Sequence, residues 1–570
     1  MNWNSHQFEL LDWAVIAVGF SLVAWMVYRS VQKSKKSLTG GETSSDYFLS
    51  GRNETWLTIG AAIFAANIGS EHLVGLAGAG AKTGMGMAHW EMQGWMILIL
   101  GWVFVPFYEH SKVFTMPEFL SRRYTRGTSS ALSIITLLSY ILTKVSVTAF
   151  TGGIFLQSLL GLPFWYGAIG LVILTGIFTV FGGMKGVMVI SSIQTPILII
   201  GAFLVLFLGL NILGDGSIVN GWNQMLAHIA TLNVGANGHA YGTGHLMHFD
   251  KADPLYNQFP GVWVFIGSAI IGFWYWCTDQ HIVQRVLSAK NITQARRGTI
   301  FAGYLKILPV FMFLIPGMIA ASLQSKGAAG FVMGSTDEAF GSMVKYVLPV
   351  GVKGFVTVGF ISALVTSLSA HFNSCATLFT IDFYKPYHPN ASEKKLVWIG
   401  RVATWAVVIL GLLWIPVMMG LGGLYEYLQD VQSLLAPSIA AVFLMGIFSK
   451  KITPKAGEVG LITGFVIGMT RLATNVLQGN LGVVLPGSLK WFWGTNWLIF
   501  EIYLLLFIIA LMVVVSMFTK PAGEDKLKGI TFFSQTPEQR AETRASWNWV
   551  DVVTSLGVVA ICAAFYIYFW

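Results

Sequence analysis

Long apolar runs alternate with short polar loops along this chain, and within the runs the apolar residues follow one another without a two-residue alternation. A helix needs about 20 apolar residues to cross roughly 30 Å of hydrocarbon, whereas the strands of a membrane barrel alternate over about ten. The pattern therefore predicts helical spans near 10–28, 53–74, 86–108, 128–158, 163–181, 187–212, 260–278, 298–323, 351–384, 396–419, 421–447, 456–478, 496–519 and 547–569, fourteen in all. The first run opens with Glu9 and Asp12, where a signal peptide would be basic, and no small-residue cleavage pattern follows it, so it reads as a retained anchor.

Composition narrows the class to a polytopic membrane protein. Of 570 residues 55% are hydrophobic and only 11% charged, against about 25% charged in soluble domains. Disorder requires low hydrophobicity. A disulfide scaffold requires more than Cys277, Cys375 and Cys562, which all lie in apolar runs. The net charge of +9 invites a nucleic-acid reading, but the cations follow membrane topology. With the N-terminus outside, the seven inner loops hold 25 Lys and Arg, while the outer segments hold only Lys82, Lys251, Lys326, Lys345 and Lys490. This bias marks cytoplasmic loops and puts both termini outside. No nucleic-acid partner and no obligate protein partner is expected.

The longest outer loop, 213–259, carries His228, His239, His245 and His248 in a spacing that matches no zinc pattern, so exposed loop histidines are expected. Segment 520–546 mixes both charge signs and reads as a surface connector. The three Asn-X-Ser/Thr sequences, at Asn53, Asn291 and Asn390, fall in or beside inner loops, which favours a bacterial inner membrane over an animal cell surface.

Ionisable groups inside spans are costly, roughly 2.5–3.5 kcal/mol each, and face a cavity or a partner. Here they are Glu71, His72, Glu91, Lys144, Asp279, Lys306, Glu426 and Arg471, with Lys353, Asp382 and Arg401 nearer span ends, where they can snorkel to the interface. The second span, AAIFAANIGSEHLVGLAGAG from Ala61 to Gly80, has Asn67, Gly69 and Ser70 at its middle. Such a centre suits a broken helix whose freed carbonyls coordinate a cation; alternatively Gly75, Gly78 and Gly80 only permit close helix packing. The seventh span ends GFWYWCTDQHIVQR, which reads either as an interfacial aromatic belt or as a ring covering the C–H face of a sugar. Glu91, Asn67, Lys306 and Gln429 would then meet its hydroxyls, because they mix strong donors, strong acceptors and groups that do both. In the ninth span Thr366 and Ser367 either bond back to carbonyls one turn earlier or bind a cation.

The stretches FAANIGSEHLVGLAGAGA, WYWCTDQHIVQRVLSAKN, FNSCATLFTIDFY and PSIAAVFLMGIF resemble the sodium/glucose cotransporters of the solute:sodium symporter family, and the likeness runs over nearly the whole chain. It implies an all-α, polytopic membrane protein of the LeuT-type fold with two inverted five-helix repeats. The corresponding divisions are a peripheral helix and inner loop at 1–52, the first repeat at 53–212, the outer loop at 213–259, the second repeat at 260–450, and three peripheral helices at 451–570. It implies Na⁺ as the co-transported ion, held by carbonyls of Ala65, Ile68 and Ala363 and hydroxyls of Thr366 and Ser367. It implies a sugar pocket of Asn67, His72, Glu91, Tyr275, Trp276, Lys306 and Gln429, with Tyr275 as inner gate and Tyr425 near the outer gate. Three positions depart from the family: Ser191 and Ser369 at a second sodium site, and Gly272 where relatives have a polar pocket residue. The expected function is Na⁺-driven symport of a glucose- or galactose-like hexose, one Na⁺ per sugar. A myo-inositol symporter and a sugar-gated sensor or leak channel are the rivals. An enzyme is not expected, since no Ser/His/Asp set, metal cluster or phosphate loop occurs at the membrane surface.

Overall fold

The computed structural model describes residues 7–36, 43–419, 424–479 and 487–570. Their regular structure is helical, with three isolated β-bridges in loops. Within hydrocarbon each backbone N–H and C=O must be bonded inside its own segment, so long apolar stretches become helices. They are α1 (Leu10–Lys36), α2 (Trp56–Asn67), α3 (Glu71–Ser111), α4 (Arg126–Leu160), α5 (Phe164–Leu213), α6 (Ile218–Ala230), α7 (Val262–Thr278), α8 (Gln280–Val286), α9 (Ile292–Lys326), α10 (Val352–Tyr387), α11 (Glu393–Met419), α12 (Leu424–Phe448), α13 (Pro454–Gly479), α14 (Trp497–Phe518) and α15 (Trp549–Tyr568). Among the described residues eleven helices are long and apolar enough to cross a membrane, or twelve when α7 and α8, bent by 48°, count as one span.

Boundaries differ from the sequence pattern in two places. The expected spans 53–74 and 86–108 appear as a short α2 and a long α3, which turns at Gly84 with φ of 68°. The expected spans 163–181 and 187–212 both lie in α5, which kinks at Gly183 with φ of 54° and ψ of −159°. A glycine takes these angles without a Cβ clash, so each turn is made inside an apolar stretch.

Burial sorts the helices into centre and rim. The apolar core of α10 is 94% buried against protein, compared with 22% for α1 and 28% for α15. Helix α9 lies against α2 and α3 at glycines on both sides. A Cβ on Gly60 would stand 2.9 Å from the Gly298 carbonyl, one on Gly94 2.5 Å from that of Gly303, and one on Gly317 1.9 Å from that of Ala77. Small residues permit such backbone approach, the main source of helix association without a hydrophobic drive. Gly80 also takes part, against the Leu314 carbonyl, so the second span is both broken and closely packed.

The loop histidines correct one expectation. His248 is buried and its Nδ1 sits 2.5 Å from Asp253 Oδ2, whereas His239 and His245 are exposed and His228 is half-buried. The loop folds back on itself, and Asp253 supplies the partner that makes a buried imidazole tolerable. Segment 520–546 carries the short helices Glu524–Leu527 and Pro537–Ala545.

Fully buried Arg123 donates to the carbonyls of Gly446, Ser449 and Ile452 at 2.7, 2.8 and 3.0 Å, closing the end of α12. Arg123→Gln is expected to cost on the order of 3 kcal/mol, as charge-assisted bonds are lost and buried carbonyls left unpaired. Thermal unfolding of the purified variant in detergent checks this; an unchanged midpoint would contradict it.

Candidate functional site

Helix α2 ends where the polar centre of its sequence begins. Its ladder stops with Ile68 N–H donating to the Phe64 carbonyl and resumes with His72 N–H on the Gly69 carbonyl, leaving the carbonyls of Ala65 to Ile68 outside the ladder among the described residues. Ile68 is extended, with φ of −83° and ψ of 106°, and the wide turn Glu71–Leu76 follows. Ser70 ties the break to α4, its hydroxyl 2.8 Å from the Thr148 carbonyl and 2.6 Å from Thr151 Oγ1.

Helix α10 passes beside this break. Ala363, Thr366 and Ser367 recur at i, i+3 and i+4 on one helical face, and these three, with Ala65 and Ile68, are fully buried. The Thr366 hydroxyl donates to the Ser362 carbonyl at 2.7 Å, which leaves its oxygen able to accept or coordinate. Ser367 Oγ has no hydrogen-bond partner and lies 2.7 Å from the point a Cβ on Gly69 would occupy. The five residues thus come from two helices that meet at the interruption.

Next to it is a cavity of about 50 Å³, smaller than the roughly 300–1,000 Å³ of small-molecule sites. Asn67, His72, Glu91, Tyr275, Trp276, Lys306 and Gln429 all line it. Lys306 Nζ, from α9, donates to Glu91 Oε2 at 2.5 Å and to Asn67 Oδ1 at 3.1 Å. His72 Nε2 stands 3.4 Å from Glu91 Oε1, and Asn67 Nδ2 donates to the Tyr275 hydroxyl at 3.0 Å. Gln429 Oε1 is buried without a partner. The side chain of Tyr425 lies outside the described residues.

Tyr275 lines the cavity at the bend between α7 and α8. Lys144 Nζ lies 4.2 Å from its ring centroid, and the His281 ring meets it edge-on at 4.9 Å. At the same bend Tyr140 hydrogen-bonds Asp279, and His281 Nδ1 is 3.2 Å from Asp279 Oδ2. The bend is therefore pinned to α4 by buried polar contacts.

Gln93 and Gln432 also line the cavity and were not singled out from the sequence. Each lies within three residues of a chosen one, Glu91 or Gln429, which is the signal that could have found it. Gln93 explains Gly272. Its amide accepts from Trp276 Nε1 at 3.1 Å and donates to the Ser268 carbonyl at 2.7 Å, and a Cβ on Gly272 would stand 2.5 Å from its Oε1. The space that Gly272 leaves is filled by another polar side chain. No group of three or more His, Cys, Asp or Glu suited to a metal occurs among the described residues.

The model of the Sodium:solute symporter family matches residues 47–464, most of the chain. The chain belongs to this family. It is 34% identical to Sodium/glucose cotransporter 4 of Danio rerio, over 95% of this chain and 83% of that protein. It is also 34% identical to Sodium/myo-inositol cotransporter 2 of Mus musculus, over 92% and 80%. In fold it is similar to a Na⁺-coupled sialic acid symporter solved in a substrate-bound outward-open state, with a TM-score of 0.71 at 19% identity, covering 91% of this chain and all of the other. The protein is an integral membrane, sodium-coupled solute symporter of a transporter family, with Na⁺ as the co-transported ion.

Gly272→Ala is expected to displace Gln93 and break its bond to Trp276. The loss of one neutral hydrogen bond, about 1 kcal/mol, corresponds to roughly a fivefold weaker half-saturation for solute. Uptake against solute concentration at saturating Na⁺ measures it, and an unchanged value would remove Gln93 from the site.

Proposed function

We propose that this symporter carries a monosaccharide, a glucose- or galactose-like hexose, into the cell with one Na⁺ per sugar by alternating access. The observation that carries the reading is the Lys306 ammonium bridging Glu91 and Asn67 in a cavity that also holds Gln429, Tyr275 and Trp276, beside the interrupted helix. Strong donors and acceptors meet hydroxyls while indole and phenol rings cover C–H faces. In this reading Ala65, Ile68, Ala363, Thr366 and Ser367 hold Na⁺, and Asn67, His72, Glu91, Tyr275, Trp276, Lys306 and Gln429 hold the sugar. Tyr275 gates the inner side, and Tyr425 is assigned to the outer gate. A myo-inositol cargo is the second reading, supported by equal identity to an inositol cotransporter.

Fourteen spans and two inverted repeats are part of the proposal. At 1.5 Å per residue the 50 residues of α5 would extend about 75 Å, more than twice a bilayer core, so α5 counts as two spans divided at Gly183. Joining α2 to the first part of α3 and dividing α3 at Gly84 brings the total to fourteen. The first helix of each proposed repeat, 53–212 and 260–450, is broken, as expected of inverted halves. The 1–52 and 451–570 segments are peripheral and 213–259 is the outer loop. Leu246 N–H donates to the Phe569 carbonyl at 2.8 Å, tying the end of α15 to that loop and supporting an outer C-terminus. We assign the protein to a bacterial inner membrane on the placement of its Asn-X-Ser/Thr sequences.

Sodium binding favours the outward-facing arrangement and completes the cavity, sugar closes the outer side, and the ion leaves where its concentration is low. Each ligand raises the affinity of the other by the same factor. One Na⁺ falling through a tenfold gradient and 100 mV releases about 3.7 kcal/mol, enough for about 500-fold accumulation. The second-site positions have no carboxylate among their hydrogen-bond partners. Ser191 Oγ donates to the Val187 carbonyl at 2.6 Å, and Ser369 Oγ accepts from Thr179 Oγ1 at 2.9 Å.

In proteoliposomes with an inward Na⁺ gradient, labelled glucose is expected to accumulate with a Na⁺-to-sugar flux ratio near one. Thr366→Ala and Gln429→Ala should each abolish accumulation. A ratio near two overturns the stoichiometry, preference for myo-inositol overturns the hexose assignment, and Na⁺ current without accumulation overturns symport of sugar.

A further inference from the structure

Glu71 has no role in the sodium or sugar sites described above, although it stands between them. It opens the wide turn after the break, lines the cavity beside His72, and has a buried Oε2 with no hydrogen-bond partner. Its direction is set by Gly69. A Cβ there would lie 2.3 Å from Glu71 Oε2 and 2.7 Å from Ser367 Oγ, so the two oxygens are no more than about 5 Å apart across the bare glycine. Ser367 Oγ is likewise buried and unpartnered. A carboxylate and a hydroxyl that converge without a hydrogen bond between them leave room for a cation. Na⁺ is close in size to Ca²⁺, which takes oxygens at about 2.3–2.6 Å, and two oxygens separated by up to roughly twice that distance can share one ion.

We propose that the Glu71 carboxylate is a ligand of the transported Na⁺, added to the three carbonyls and two hydroxyls and reached through the space that Gly69 leaves open. The inference rests on the sodium site proposed above. The carboxylate neutralises the ion where an uncompensated charge is costly. It also joins the two sites, because Lys144 and Lys306 in the cargo cavity lie within electrostatic reach of the same carboxylate. Sodium bound to Glu71 draws that charge away from the lysines, which adds an electrostatic link between ion and solute to the shared conformation.

The alternative is that Glu71 serves only as counter-charge to the cavity lysines. Purified full-length protein, wild type, E71Q and G69A, reconstituted in proteoliposomes, separates the two. E71Q is expected to raise the half-saturating Na⁺ for glucose uptake at least tenfold, with less than threefold change in the sugar KM at saturating Na⁺. G69A keeps every charge but puts a Cβ between the oxygens, and is expected to raise the Na⁺ requirement as well. An unchanged Na⁺ requirement with a raised sugar KM in E71Q would overturn the proposal. Sodium binding is also read without sugar, as the Na⁺-induced rise in unfolding temperature. The rise is expected in wild type and diminished in both variants, and an undiminished rise in either overturns the proposal. Should wild type be stabilised by Na⁺ yet accumulate no glucose, the sugar reading fails while the Na⁺-induced shift still decides Glu71.

Discussion

A helix interrupted inside hydrocarbon exposes backbone groups that lipid cannot bond, so an interruption survives only where protein or a cavity covers it. The break between α2 and α3 meets that condition on several sides. Ser70 is held by α4, Ser367 of α10 abuts Gly69, and Lys306 of α9 bonds Asn67, the last residue before the break. The carbonyls freed there are the feature from which the sodium reading starts, and the packing of α9 and α10 keeps them shielded from lipid.

A second constraint concerns charge. An ammonium and a carboxylate buried together repay their desolvation only when their remaining hydrogen-bonding capacity is met. Lys306 and Glu91 come close to meeting it with Asn67 and His72, which flank the break in the second span. The glycine contacts between α9 and its neighbours bring the backbones near enough for this pair to form. A network of this kind fixes the positions of donors and acceptors before a ligand arrives, which lowers the ordering cost of binding.

The Tyr275 side of the cavity repeats the same logic at the second broken helix. Tyr275 lies between Lys144 and His281, and the bend beside it is fastened through Asp279 and Tyr140. Two interrupted helices converge on one cavity, each held by buried polar contacts to α4.

Hydropathy and in-span polarity are local properties, and what depends on them was legible in the chain itself: the membrane class, most of the helices, the weak centre at Asn67 to Ser70, and Asn67, Glu91, Lys306 and Gln429 among the side chains that line the cavity, whereas the full pocket set with His72, Tyr275 and Trp276 came from the family resemblance. Tertiary packing decided the rest. Asp382 bonds Thr115 and Ser133, and Arg471 bonds the Phe492 carbonyl, so neither reaches the cavity although both are polar groups in apolar helices. Gln93 occupies the room beside Gly272, and His248 is buried with Asp253. Which polar groups share a cavity and which pair elsewhere depends on helices distant in sequence, because a buried charge is stable only with a partner, and the partner is chosen by which helices pack together.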